Sequence, residues 1–181
     1  SLVGSEMCIR DSYMRGEAMT SKNMKKYTIM QASMDEKTIQ LVSTITRDTI
    51  QEIYPHYYPM GAVAFFLSHH KENRIRQDIK NGSVYLLFHN EHNAVGTVTC
   101  KENEICRLFV LPEYQGRGYG SSLMRFAEET IFAVFASCRL DASLPAKAIY
   151  RKRGYREIES HVIPTEHGDF LCYDVMEKRK A

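Results

Sequence analysis

The sequence predicts a single-domain mixed α/β (α+β) fold, a mostly antiparallel sheet of about seven strands flanked by about four helices. Three observations predict it. Helix-period and strand-period apolar patterns follow each other in the order β-α-α-β-β-β-α-β-α-β-β. The strand segments of the middle and the C-terminal part are joined by short polar connectors, which is hairpin chemistry and therefore antiparallel pairing. From residue 27 onward no linker is long enough to divide two domains, and 181 residues suit one domain with a buried core.

The elements follow in order. Residues 26–31 read as a strand around Tyr27-Thr28-Ile29-Met30. Ser33-Met34-Asp35-Glu36 has the form of a capping box, with Ser33 as N-cap and Glu36 three residues on. It opens a helix in which Ile39, Val42, Ile45, Ile50 and Ile53 recur at helical spacing. Pro55 and Pro59 then prevent continuous helix through YPHYYP. A second helical region, broken near 70–73, covers about 62–80, and Asn81-Gly82 marks a turn. Strands are predicted at 83–89, 94–101 and 105–111, connected by HNEHN and KENE. A helix over 118–135 carries Leu123, Phe126, Ala127, Ile131 and Val134 on its apolar side. A strand at 138–142 leads to Ser143 as a helix cap, Pro145 in the first turn and Gly154 at the helix end. Strands at 155–163 and 170–177 surround a turn near 166–169, and the EKRKA tail reads as a solvated end.

Residues 1–24 read as a non-native or disordered extension, with the domain spanning 25–178. SLVGSEMCIRDS has no basic stretch followed by an apolar one, so it is not a signal peptide. It is similar to the translation of a sequencing adapter, which makes Met14, Met19 or Met24 a start; a natural arm is the other reading.

Composition excludes several function classes. Lys and Arg number 24 against 22 Asp and Glu, too balanced for the basic field of a general nucleic-acid binder. No apolar run approaches the roughly 18 residues of a membrane helix. Cys8, Cys100, Cys106, Cys138 and Cys172 are odd in number and scattered, without C-x-x-C spacing. They read as core residues in a reducing cytoplasm, with no metal site. His89, Glu91 and His92 lie in a predicted hairpin turn, where solvation rather than metal binding is expected.

Chemistry concentrates in ICRLFVLPEYQGRGYGSSLMRFAEE. A strand runs through Pro112-Glu113-Tyr114 into QGRGYG, residues 115–120, and a helix begins at once. Glycines at 116, 118 and 120 leave backbone amides uncovered at a helix N-terminus, an arrangement suited to an anion. The spacing is neither a Walker A loop, which needs Gly-Lys-Ser/Thr, nor the G-x-G-x-x-G dinucleotide fingerprint.

With Val110-Leu111-Pro112, Gln115, Gly118 and Gly120 in place, the chain resembles the GNAT N-acetyltransferase superfamily, whose signature is Q/R-x-x-G-x-G/A after such a strand. A second family signature, Y-x-K-x-G-[FY] on an alanine-containing helix, is met by Ala146, Tyr150, Lys152, Gly154 and Tyr155. The resemblance implies the acyl-CoA N-acyltransferase fold and an N-acetyltransferase that moves an acetyl group from acetyl-CoA directly to a primary amine of a small molecule or protein. It also implies that acetyl-CoA lies between the strand ending at Val110 and the strand at 138–142. Its pantetheine arm would meet the backbone of Leu108, Phe109 and Val110. Its pyrophosphate would meet the amides of Gly116, Arg117, Gly118, Tyr119, Gly120 and Ser121, with Gln115 among the cofactor-binding residues.

By the same resemblance, amides near Val110 face the oxyanion and Tyr150 is the general acid for the departing thiolate; the plainer reading of Tyr150 is packing on the sheet. An amine with pKa near 10.4 is neutral in only about one molecule in 2,500 at pH 7, so a base is expected. Members of the family that use a strand carboxylate can place it where this chain has Cys106; Glu104 and Asp141 are the remaining candidates, and a solvated or structural role is the alternative for each. Tyr54, His56, Tyr57 and Tyr58 border the acceptor region by resemblance, with His69 and His70 further on; a packed lid is the competing reading. A non-catalytic acyl-CoA-binding or sensing domain is the alternative function. The C-terminal strands are candidate homodimer edges.

Overall fold

Residues 27–180 are described by the computed structural model, and their backbone follows the predicted order of elements. The expectations for residues 1–24, Cys8 included, lie outside the described residues. The strands are β1 (Thr28–Gln31), β2 (Val84–Asn90), β3 (Asn93–Lys101), β4 (Glu104–Val110), β5 (Ser137–Ala142), β6 (Arg156–Pro164) and β7 (Phe170–Arg179). The helices are α1 (Glu36–Ile53), α2 (Met60–His69), α3 (Glu72–Lys80), α4 (Tyr119–Phe132) and α5 (Lys147–Lys152). The broken second helical region thus resolves into α2 and α3. The strands form one sheet in the order β1-β2-β3-β4-β5-β7-β6, antiparallel throughout except where β4 meets β5. Parallel neighbours need a crossover, and α4 supplies it.

Each face of the sheet buries its own core. Leu123, Met124, Ala127 and Ile131 of α4, with Ile149 and Tyr150 of α5, pack against Val98, Leu108, Leu140 and Met176. Ile39, Val42 and Ile45 of α1, Phe66 of α2 and Ile75 of α3 pack against Val84, Leu86 and Phe109. The second face also holds a buried ion pair. The Arg107 guanidinium donates to Asp78 Oδ2 from both terminal nitrogens at 3.2 Å and to Thr99 Oγ1 at 2.9 Å. Lys101 Nζ meets the other Asp78 oxygen at 2.6 Å. These bonds tie α3 to β3 and β4 and offset the desolvation of two buried charges.

Local expectations needed four corrections. Asp35, not Ser33, is the N-cap of α1: its carboxylate accepts from the Thr38 N–H at 2.9 Å, and Ser33 Oγ donates to it. An ionised oxygen facing the positive helix end is the stronger acceptor. Helix α4 stops at Phe132, so Val134 is 78% exposed rather than on the apolar side. Ser143 makes no side-chain cap, because Pro145 first winds a 3₁₀ turn over Leu144–Ala146. The basic tail is not a loose end. Strand β7 continues to Arg179, paired with Ser137, while Lys178 reaches Glu128 at 3.2 Å and Lys180 Nζ donates to Phe132 O at 2.7 Å. Of the cysteines described, Cys106 and Cys138 are buried but Cys172 is exposed on β7, and all are free thiols. Among the described residues no helix is long and apolar enough to cross a membrane. Strand β6 is the outer strand of the sheet beyond β7.

Candidate active site

Strands β4 and β5 pair only at Glu104↔Arg139 and Ile105↔Leu140. Beyond those pairs they diverge, leaving a wedge between residues 106–110 and 141–142. Two local features shape its β4 wall. Against β3 the register passes from Thr99↔Arg107 to Cys100↔Ile105, so Cys106 is an extra, bulged residue; such bulges re-aim strands and cluster near active sites. Further along, Val98↔Leu108 and Gly96↔Val110 are non-hydrogen-bonded pairs, consistent with the 2.9 Å bond from Leu111 N–H to Val95 O. The N–H groups of Leu108 and Val110 therefore point away from β3, into the wedge. The Val110 carbonyl is already engaged, by Gln115 Nε2 at 2.9 Å and Thr49 Oγ1 at 3.3 Å. Phe109 alternates the other way: its backbone faces Thr97 of β3 and its ring joins the core under α1 and α2.

The glycine loop stands at the end of this wall. Gly116 (φ 71°) and Gly118 (φ 84°) have left-handed backbones, and among the described residues a Cβ built on Gly118 would meet no atom within 4 Å. Gly118 is the N-cap of α4 without a side-chain cap, and the first turn of the helix closes with the bond from Ser122 N–H to Gly118 O at 3.1 Å. The amides of Tyr119, Gly120 and Ser121 thus have no acceptor within the helix. Arg117 lies over the Tyr114 ring at 4.9 Å and donates to Glu113 O at 2.8 Å. Open space, uncapped amides and a nearby cation fit a phosphate-bearing ligand. The Tyr119 side chain is buried, and its hydroxyl bonds Nδ1 of His89. So His89 belongs to β2 and braces α4, whereas Glu91 and His92 are the exposed turn residues.

Gly118→Val is expected to weaken coenzyme A binding at least tenfold, because a β-branched residue with positive φ costs about 1–3 kcal/mol and its side chain enters the open space. Calorimetric titration checks it; unchanged affinity would remove the phosphate assignment.

Tyr150 is fully buried on α5, in the cluster that contains Leu108, Val110, Tyr119 and Ala142, with its ring edge-on to Tyr155 at 5.8 Å. Asp141 is on β5 just past the last β4–β5 pair and is 6% exposed. Among the described residues no hydrogen bond or ion pair reaches its carboxylate. Burial, and next the negative charge of Glu104, push its pKa up to about 6. Tyr173 of β7, raised by burial and then by Asp141, Glu159 and Glu104, shares this face. His161 stacks on Tyr173 at 4.9 Å and meets Glu159 at 3.2 Å. Burial pushes the Cys106 thiol up to about 12, so it stays protonated at neutral pH.

The aromatic stretch divides. Tyr54 is fully buried, its ring 4.6 Å from Phe66 and 5.5 Å from Tyr58. His56 and Tyr57 are exposed. Tyr58 is buried, and its hydroxyl accepts from Leu144 N–H at 2.8 Å, which brings it to the end of β5 where the wedge opens. No local signal in the sequence announces that contact, the Cys106 bulge, the Thr49–Val110 bond or the company of Asp141. Among the described residues, no group of three or more His, Cys, Asp or Glu side chains is placed to hold a metal.

Comparison with known proteins agrees with this geometry. A search of curated proteins finds no match to the chain. Among solved structures, a GCN5-related N-acetyltransferase from Rhodopseudomonas palustris superposes with TM-score 0.74 at 19% identity, covering 90% of this chain and 100% of that one. The PaiA N-acetyltransferase from Thermoplasma acidophilum, solved in complex with coenzyme A, gives 0.62 at 19% identity over 86% and 99%. The ribosomal-protein-S18-alanine N-acetyltransferase from Escherichia coli gives 0.57 at 17% over 85% and 94%. At such identities these likenesses establish the fold. The family model for the acetyltransferase (GNAT) domain matches residues 53–165, from the end of α1 into the β6–β7 turn. That span includes the wedge, the glycine loop and Tyr150, and the chain belongs to the GNAT acetyltransferase family.

Proposed function

We propose that this protein is an acetyl-CoA-dependent N-acetyltransferase that acylates a primary amine by direct transfer. The observation that carries this reading is the wedge itself: two parallel strands that part beside a left-handed glycine loop at an uncapped helix N-terminus. The N–H groups of Leu108 and Val110 would hold the pantetheine amides as an added strand does, and the loop amides with Arg117 would hold the pyrophosphate. Acetyl-CoA supplies an acyl group activated as a thioester.

The chain's own residues then divide the work. Asp141, ionised at pH 7 with a pKa near 6, removes a proton from the acceptor ammonium directly or through one water. The Val110 N–H, turned into the wedge, donates to the oxygen on which negative charge develops. Tyr150 gives its proton to the sulfur as the carbon–sulfur bond breaks. Glu104 serves as the neighbouring charge that raises the basicity of Asp141. Tyr58 is the candidate from the aromatic stretch that lines the acceptor side, while Tyr54 supports it from within the core.

The test is thiol release from acetyl-CoA over a panel of primary amines, with product mass as the second readout. Equal yields of thiol and N-acetylated amine are expected for at least one acceptor. Coenzyme A binding without turnover on any amine would replace this reading by the non-catalytic acyl-CoA-binding one.

A further inference from the structure

A cleft of about 240 Å³ lies between α1 and the α2–α3 junction. Two of the polar residues lining it are almost fully buried and lack partners. Thr46 is 1% exposed, His70 is 5% exposed, and among the described residues neither the Thr46 hydroxyl nor either His70 ring nitrogen has a hydrogen-bond partner. Buried polar groups are nearly always satisfied, so such a pair calls for something that completes it. The neighbouring walls say what charge that something carries. Arg47 and Lys71 line the cleft, and among the described residues no carboxylate does. Lys71 is also the N-cap of the nine-residue helix α3, which has no side-chain cap. The positive end of that helix dipole therefore adds to the two cations. Glu72, the first residue of α3, has its carboxylate held by Arg76 and Gln40.

We infer that this cleft is a binding site for a small oxyanion, one bearing a phosphate or carboxylate group. By volume it holds about eight waters, enough for phosphate or a short dicarboxylate but not for a nucleotide. Arg47 is paired with Asp48 at 2.9 Å, but both side chains are about half exposed, and a surface pair of that kind is readily exchanged for an anion. Burial, with the nearby Arg107 charge, keeps the His70 imidazole neutral, so it offers one donor and one acceptor. The acceptor nitrogen suits the hydroxyl of a protonated phosphate or of Thr46. The His70 ring packs edge-on against Phe109 at 5.6 Å, so an occupant would touch the β4 wall of the wedge through a single intervening side chain.

The site does not depend on the cofactor assignment, and its test can be kept apart from it. The full chain, held in saturating coenzyme A so that the glycine loop is occupied, is titrated with inorganic phosphate, succinate and, as a neutral control, glycerol. The imidazole NMR signals of His70, assigned with a His70→Gln variant, are followed. Both anions are expected to shift those signals saturably and glycerol is not. Paired Arg47→Ala and Lys71→Ala replacements, at exposed or half-exposed positions, should weaken the anion at least tenfold while leaving coenzyme A affinity unchanged. Thr46→Val should weaken it several-fold. Unmoved His70 signals, an equal response to glycerol, or anion binding that survives the paired replacement would each overturn the inference.

Discussion

Asp141→Asn is expected to lower kcat/KM at neutral pH by about 10³-fold and to raise thermal stability at the same time. General-base removal costs about 10²–10⁴-fold in rate, and the upper half of that range is expected where the acceptor is protonated in all but one molecule in about 2,500. The stability change has the opposite sign for a reason visible in the same carboxylate. Its pKa in the folded protein, about 6, is above the ordinary 3.8, so the folded state binds its proton more tightly than the unfolded state does. The stabilisation that follows is complete below pH 4 and lost as pH rises through 6. At pH 7 the ionised group therefore opposes folding, a cost of which asparagine recovers part.

The pH profile carries an independent sign. Wild-type kcat/KM should fall as pH drops through about 6, as the base is protonated, and the Asn variant should lack that inflection. Wild-type activity in the variant, or an inflection that stays in place, would transfer the base to another group. Glu104→Gln then separates the two carboxylates. Removing only the neighbouring charge should move the inflection downward with little loss of kcat.

Tyr150→Phe should lower kcat by about 10²-fold with coenzyme A affinity unchanged, the pattern of an interaction made in the transition state rather than in binding. The ring is fully buried among Leu108, Val110 and Ala142, and phenylalanine keeps that packing, so unfolding midpoints should stay close to wild type. A thioester whose thiol has a low pKa needs less protonation as it leaves, and such a donor should recover much of the lost rate. Equal defects with good and poor leaving groups would make Tyr150 a packing residue, and full activity would assign the proton to water.

Much of this molecule is legible in one dimension because the signals are local. The isoleucine spacing of α1, the proline pair after it, the Asn81-Gly82 turn and the short polar connectors HNEHN and KENE each act within a few residues. So do the glycines of the QGRGYG loop, whose left-handed backbones at 116 and 118 follow from the absent Cβ. Where local rules compete, contacts made on folding decide between them. Ser33 and Asp35 both cap well, and only the placement of Thr38 N–H over the carboxylate decides between them. The tail's charges suggested solvent, and pairing with β5 overrode them.

By itself the sequence determined the order of elements, the sheet class, the glycine loop at the start of α4 and, through two short motifs, the family. The tertiary structure alone decided which groups share a volume. Asp141 is one acidic residue among many until β5 leaves β4 and buries it near Glu104 and Tyr173. Tyr58 joins the wedge only because Leu144 lies across from it, and Cys106 bulges only because β3 sets the register. Periodicity and turn chemistry act over one or two turns of chain, whereas desolvation and through-space charge depend on residues tens of positions apart, whose neighbourhood exists only once the chain has folded.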